Sequence, residues 1–315
     1  MTLSILLMTF GFISLYYGAE WLVEGAIKLA LILKISKVVV GLVLVAFGTS
    51  SPELFVNIIA ALEGRTGFAL SNVSGSNLTN LCIGFGVCAL VGTLIVDKVK
   101  FGIDLIYFWL APMLVLLFML VIPDNRLPLW SAIPLLFLFV IYLLFLQSRA
   151  RAEASEEIIP ANSLWLGLFL FLLGIGALYT GGELVVRSAV RIGGLLGISE
   201  TVLGLTVVAF GTSIPDTMAS IAAVRKGETY IAVGNLLGSN IFNILLVLSA
   251  TLIFAGRGLL FDPNIVMDYA AVTLFSIFFV ALIIISSRVV RPIGLLLIAL
   301  YLTYIAYRVV VTVGL

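Results

Sequence analysis

Histidine is absent from the 315 residues of this chain. Its absence removes the commonest metal ligand and the commonest general base at neutral pH. Only two cysteines occur, Cys82 and Cys88, both inside an apolar run. They offer neither a disulfide framework nor zinc-ligand spacing, and they read as small buried hydrophobes. Charge is scarce as well. Asp, Glu, Lys and Arg make up 10% of the residues, where a soluble domain carries about 25%. Their balance leaves a net charge of +1, so no basic surface invites nucleic acid. No nucleophile stands beside a base, and no enzyme is expected. The first apolar segment lacks a charged leader and a small-residue cleavage site, which predicts a retained helix.

What fills the chain is apolar. Hydrophobic residues make up 62%, and the mean hydropathy is +1.27. No single soluble core could bury that much apolar surface, so lipid is the expected solvent. A membrane-spanning helix needs about 20 apolar residues. Ten such segments are predicted, at 3–33, 36–62, 69–95, 102–122, 128–148, 163–194, 199–224, 229–256, 263–287 and 290–313. The first and sixth are long enough to tilt strongly. The longest polar break runs from Gln147 to Asn162; it reads as a linker too short for a regulatory domain.

The chain repeats itself. ISKVVVGLVLVAFGTSSPE at 35–53 and ISETVLGLTVVAFGTSIPD at 198–216 share twelve of nineteen positions. The offset is 211 − 48 = 163 for the glycine of GTS and 238 − 75 = 163 for that of GSN. Tyr16, Gly18 and Glu20 match Tyr179, Gly181 and Glu183 at the same offset. A five-helix unit has therefore been duplicated: residues 1–148 form the first repeat, 149–162 the linker and 163–315 the second repeat. Five is odd, so the second unit enters the membrane from the opposite side and the repeats are inverted. With both termini outside, inner loops hold ten basic residues (Lys34, Lys37, Lys98, Lys100, Arg149, Arg151, Arg225, Lys226, Arg288, Arg291) against five outside, as the positive-inside rule requires.

Acids deep in a membrane helix are expensive and usually functional. Glu53 and Asp216 lie mid-span in the second helix of each repeat and match at the repeat offset. Glu20, Glu183, Asp104 and Asp268 are assigned instead to helix ends and interfaces. Each central acid follows a proline, which cannot donate to the carbonyl four residues earlier. The carbonyls of Gly48 and Gly211 are thereby expected to be free for a cation. Thr49 and Ser50 share a helix face with Glu53, as Thr212 and Ser213 do with Asp216. The third helix of each repeat adds Ser76 with Asn80 and Ser239 with Asn243, again four residues apart. The ten side chains make an all-oxygen set suited to a hard cation such as Ca2+, which takes six to eight oxygens in flexible geometry. Two carboxylates balance one Ca2+ or two Na+. No thiolate or imidazole is placed for a softer metal. An empty, ionised site is costly in low dielectric, which favours exchange over leak.

The paired GTSxP(E/D) and GSNxxN segments resemble the two alpha repeats of the calcium/cation antiporter superfamily, especially the Na+/Ca2+ exchangers. The resemblance covers nearly the whole membrane core. It implies ten helices in two inverted five-helix repeats, ion sites lined by helices 2, 3, 7 and 8, and alternating access with helices 1 and 6 sliding on that core. It implies Glu53 and Asp216 as central ligands, Thr49, Ser50, Thr212 and Ser213 as their partners, and Ser76, Asn80, Ser239 and Asn243 as flanking ligands. Asp216 is the shorter acid where many prokaryotic members carry Glu. Asn243 is neutral where potassium-dependent exchangers resemble one another in carrying Asp, which argues against K+ co-transport. The proline of GTSSPE argues against the H+/Ca2+ branch. Ser51, Asn57 and Ser71 depart from the apolar residue, hydroxyl residue and Gly expected there.

The expected function is secondary active antiport of Na+ against Ca2+ in a prokaryotic inner membrane, with no cofactor beyond the transported ions. H+-coupled antiport is the nearest alternative and a cation channel a more distant one. Oligomeric state is left open. The charge bias yields a direct test of topology. Single-cysteine labelling at Ser155→Cys in the linker is expected only from the cytoplasmic side, and a cysteine added at either terminus only from the outside; labelling of both from one side would reverse the inversion.

Overall fold

The structure is a computed structural model and describes residues 2–122, 125–152, 163–195 and 211–313. Nine helices among the described residues are long and apolar enough to cross a membrane. They are α1 (Thr2–Leu33), α2 (Lys37–Leu62), α3 (Thr66–Val91), α4 (Lys98–Val121), α5 (Ala132–Ala152), α6 (Ser163–Leu195), and then α8 (Thr229–Ala255), α9 (Pro263–Ser286) and α10 (Arg291–Val313). Between α6 and α8 stands α7 (Ile214–Arg225). The part of the predicted seventh span before residue 211 lies outside the described residues. Helix bounds otherwise follow the apolar runs read from the sequence, and the chain is an all-α membrane protein.

The inversion is visible in which residues touch. α1 and α6 are repeat equivalents, yet they run antiparallel: Gly11 faces Gly181, whereas Gly25 faces Phe171. Two contacts join a residue to its own repeat counterpart, 163 positions away. Ser14 Oγ donates to the Ala177 carbonyl at 2.8 Å, and Asn77 Nδ2 donates to the Asn240 carbonyl at 3.2 Å. Residues that meet their own counterparts lie on the pseudo-two-fold axis, which therefore passes through the α1–α6 seam and the α3–α8 contact. The seam is backbone against backbone. A Cβ on Gly25 would stand 2.5 Å from the Phe171 amide nitrogen, and one on Gly174 would stand 2.5 Å from that of Leu22. Small residues are what allow membrane helices to approach this closely.

Burial separates centre from periphery. The most apolar windows of α3 and α8 are 83% buried, against 28% in α1 and α6. The exposed faces of the outer helices carry Leu3, Leu6, Phe10, Phe137, Phe169 and Leu274, an apolar surface fit for lipid. Two short antiparallel ribbons join the repeats through their loops. β1 (Leu94–Ile95) pairs with β4 (Arg288–Val289), Leu94 opposite Val289, and β2 (Arg126–Leu127) pairs with β3 (Leu259–Leu260), Arg126 opposite Leu260.

Asp104 and Asp268 are not at interfaces with water, as their position near helix ends suggested. Asp104 on α4 is fully buried; it accepts from Tyr142 Oη at 2.8 Å and from Arg149 Nη1 at 3.1 Å, both on α5. Asp268 on α9 accepts from Tyr304 Oη and from a two-pronged Arg308 (Nε at 2.8 Å, Nη2 at 3.3 Å) on α10. Each cluster clamps the last two helices of its repeat. The sequence hid this because the partners lie 36–45 residues from their acids in a different helix. Removing one partner of a buried pair leaves an uncompensated charge, worth about 3–5 kcal/mol. Arg308→Met is therefore expected to lower the melting temperature of the purified protein clearly, whereas Asp268→Leu with Arg308→Met recovers most of the loss. A single variant that melts like the parent would show that the pair does not hold the helices.

Candidate cation-binding site

Three of the central helices depart from regular α geometry. α2 carries a π-helical stretch at Val40–Val45, α3 at Thr79–Gly84 and α8 at Asn243–Val247. The last two occupy matching places in the repeats, and they begin at or beside Asn80 and Asn243. A π turn inserts an extra residue and re-aims the side chains around it; such turns concentrate at functional sites. The simple four-residue spacing of Ser76 with Asn80 and Ser239 with Asn243 survives, but the helix beyond each asparagine is rotated.

The two acidic segments are built differently. α2 runs unbroken through Pro52. The carbonyl of Gly48, expected to be free for a cation, instead accepts from Ser51 Oγ at 2.9 Å. A serine hydroxyl thus re-satisfies the group that proline released, and the cation role assigned to that carbonyl is withdrawn. In the second repeat an isoleucine, Ile214, takes the place of Ser51. There the chain leaves helical geometry at Thr212–Ser213, and α7 starts afresh with Pro215 and Asp216 in its first turn. A carboxylate in a first helical turn faces the positive end of the helix dipole.

The ten predicted side chains do gather around the crossing of α2, α3, α7 and α8. Glu53 is 1% exposed and Asp216 0%. Thr49, Ser50, Ser213, Ser76, Asn80, Ser239 and Asn243 are buried, and Thr212 is half-buried. Asp216 is held from two neighbouring helices, α3 and α8. Ser239 Oγ donates to its Oδ1 at 2.9 Å, Asn80 Nδ2 to its Oδ2 at 2.6 Å, and Asn235 Nδ2 to its backbone carbonyl at 3.0 Å. The Thr49 hydroxyl lies close to the same carboxylate. It is also 3.1 Å from Asn235 Oδ1 and 2.9 Å from the Val45 carbonyl. Across the axis Thr212 repeats this contact, donating to Asn72 Oδ1 at 3.3 Å, and its hydroxyl meets that of Ser76 at 3.1 Å. Ser213 Oγ reaches the Ser76 carbonyl at 3.4 Å.

Glu53 stands in contrast. Among the described residues neither of its oxygens has a hydrogen-bond partner, nor does Ser50 Oγ, Asn80 Oδ1 or either amide atom of Asn243. The Asp216 carboxylate is near enough to act on Glu53 electrostatically. Buried polar atoms are almost always paired, and leaving one unpaired is costly. Four residues here present oxygen acceptors without donors. A hard cation satisfies them together, so the donor set fits one. Glu20 and Glu183 lie outside this cluster, as assigned: Glu20 pairs with Lys226 at 3.0 Å and Glu183 with Arg187 of its own helix.

Sequence reading missed Asn72 and Asn235, which brace Thr212 and Thr49 and are both buried. The signal was present, since they are repeat counterparts one turn before Ser76 and Ser239. It was passed over because they stand outside the GSNxxN segment.

Comparison with known proteins gives the same picture. The family model described as sodium/calcium exchanger protein matches the chain twice, over residues 3–147 and 166–310, again 163 apart. Inner membrane protein YrbG of Escherichia coli is 34% identical over 303 residues, covering 90% of this chain and 89% of that protein. The putative antiporter CaxA of Alkalimonas amylolytica is 32% identical over 280 residues, covering 86% and 85%. The sodium/calcium exchanger MaX1 of Methanosarcina acetivorans is 28% identical over 292 residues, covering 80% and 83%. Among solved structures, the sodium-calcium exchanger NCX_Mj superposes with a TM-score of 0.84 at 30% identity, covering 97% of this chain and 98% of that one.

Proposed function

This chain belongs to the sodium/calcium exchanger family of membrane antiporters, which are transporters and not enzymes, and from that premise we propose that it exchanges Na+ for Ca2+ at the Glu53–Asp216 cluster. The observation that carries the proposal is the buried Glu53 carboxylate, which among the described residues has no hydrogen-bond partner, on a cluster of crossing helices that also leaves Ser50 Oγ, Asn80 Oδ1 and the Asn243 amide unpaired. In this reading Glu53 and Asp216 are the charged ligands. Ser50, Asn80 and Asn243 offer neutral oxygens on the Glu53 side, and Thr49, Thr212, Ser213, Ser76 and Ser239 line the rest. One Ca2+ or two Na+ balance the two carboxylates, so the ions compete for one set of oxygens. Bare carboxylates in a protein interior carry a desolvation penalty of several kcal/mol per ion. The loaded protein therefore changes state more readily than the empty one, which couples the two fluxes.

The geometry also supports alternating access. α1 and α6 lock to each other through glycines and are little buried elsewhere, so they are suited to move as one body over the central helices. Among the described residues that body is fastened by ion pairs on one side. Glu20 of α1 pairs with Lys226 at 3.0 Å, at the end of α7, and Tyr16 Oη accepts from Arg225 at 3.2 Å. The counterpart Glu183 of α6 makes its ion pair within its own helix. If both termini lie outside the cell, the fastened side is the cytoplasmic one.

The deciding experiment is 45Ca2+ uptake into proteoliposomes loaded with Na+, with K+ or choline inside as controls. Uptake is expected to require internal Na+, to be unchanged when external K+ is replaced by choline, and to fall to background in Glu53→Gln. Uptake driven by a pH gradient without Na+ would assign the protein to proton coupling, and passive flux without any counter-ion would make it a channel.

A further inference from the structure

The face of α2 that carries Glu53 continues beyond it. Ser50, Glu53 and Asn57 form one stripe, and Asn57 is 0% exposed. Among the described residues every polar side-chain atom in this stripe lacks a hydrogen-bond partner: Ser50 Oγ, both Glu53 oxygens, and both the Oδ1 and Nδ2 of Asn57. The repeat-equivalent stripe on α7 is Ser213, Asp216 and Ser220, and it is closed throughout. Ser213 donates to the Ser76 carbonyl, Asp216 accepts from Ser239 and Asn80, and Ser220 Oγ accepts from Asn235 Nδ2 at 2.9 Å. In the first repeat the counterpart of Asn235 is Asn72, whose Nδ2 is also unpaired. Where the second repeat has a short hydroxyl consumed by its neighbour, the first has a longer amide whose carbonyl oxygen is unused.

We propose that Asn57 is a further cation ligand, its side-chain carbonyl forming with the Glu53 carboxylate a station one helical turn nearer the Leu62 end of α2. The assignment rests on the antiporter reading and adds to its oxygen set a residue outside the paired motifs. A fully buried amide with neither function used is costly, and a buried amide four residues from an unpaired carboxylate shares its helical face. In this reading a cation bound by Glu53 also takes the Asn57 side-chain carbonyl.

The test compares Asn57→Ala, Asn57→Ser and Asn57→Asp with the parent. Two readouts are used: the half-saturating Ca2+ concentration for 45Ca2+ uptake, and the rise in melting temperature that Ca2+ gives the purified protein. Losing a residue that supports a metal typically weakens affinity about 10-fold or more. Asn57→Ala is expected to raise half-saturation by about that factor and to shrink the Ca2+-induced rise in melting temperature. Asn57→Asp, with an added carboxylate, is expected to lower half-saturation and to require more Na+ for competition. Asn57→Ser keeps an oxygen and replaces Asn57→Ala as the reference if the alanine variant does not fold. If all folded variants stay within about twofold of the parent in both readouts, a scale well inside the expected loss, Asn57 is a hydrated structural amide and the proposal falls, while Na+-dependent uptake by the parent leaves the antiporter reading standing. Proton-driven uptake by the parent overturns the Na+ coupling alone, since the Asn57 comparison is read in the same assay. A parent that neither takes up Ca2+ nor gains stability from it overturns both.

Discussion

Two carboxylates buried in an apolar interior constrain everything else in this molecule. A bare acid moved from water into a protein loses several kcal/mol of solvation even after relaxation, and two acids near one another repel as well. The fold answers on one side with hydrogen bonds. Asp216 receives a hydroxyl from α8 and an amide from α3, and it sits in the first turn of α7. On the other side the fold leaves the compensation out: among the described residues the Glu53 carboxylate has no hydrogen-bond partner. A protein that needed only to hold its helices together would close both sides, because partly satisfied buried networks are the costly kind. The open half therefore speaks for a ligand that comes and goes.

Duplication supplies the means of moving that ligand. Inverted repeats give one sequence plan two orientations, and small departures from symmetry decide which side is shut. Ser14 with Ala177 and Asn77 with Asn240 mark the axis. Away from it the halves differ through ordinary substitutions. Ser51 closes the Gly48 carbonyl and keeps α2 continuous, whereas Ile214 cannot, and α7 begins anew. Glu20 finds Lys226, while the residue matching Lys226 in the first repeat is Glu63, which would repel Glu183. Thus, in the proposed alternating access, the ion pair on one side has no counterpart on the other, and the two end states of a symmetric scaffold need not be equal in energy.

Most of the architecture was legible because lipid imposes simple rules. A span needs about 20 apolar residues, an acid within it needs a reason, and a constant offset of 163 declares the repeat. The same rules brought the ten candidate side chains to one place. What stayed hidden was of two kinds. Contacts between distant helices, such as Asp104 with Tyr142 and Asp268 with Arg308, leave no periodic trace, so position near a helix end suggested water where there is none. Local backbone adjustments were equally silent. Nothing in Asn80 or Asn243 announces a π turn, and proline alone does not tell whether its orphaned carbonyl will meet a cation or the neighbouring serine.

The unequal halves bear on how one site could serve the two ions of the proposed exchange. Na+ and Ca2+ differ in charge while both prefer oxygen, and a cage rigid on all sides would favour one of them. Calcium in particular accepts six to eight ligands at variable geometry. Asp216, fixed by its donors, gives the site a wall that is already formed. Glu53, Ser50 and Asn243, with no bonds to break, give it a wall that can adapt. An adaptable wall also limits affinity, since ordering those side chains on binding costs free energy. That limit suits an exchanger, in which each ion must be released as readily as it is taken up. The neutral amide at Asn243 works in the same direction: a third acid there would hold a divalent ion more tightly and slow its replacement by Na+.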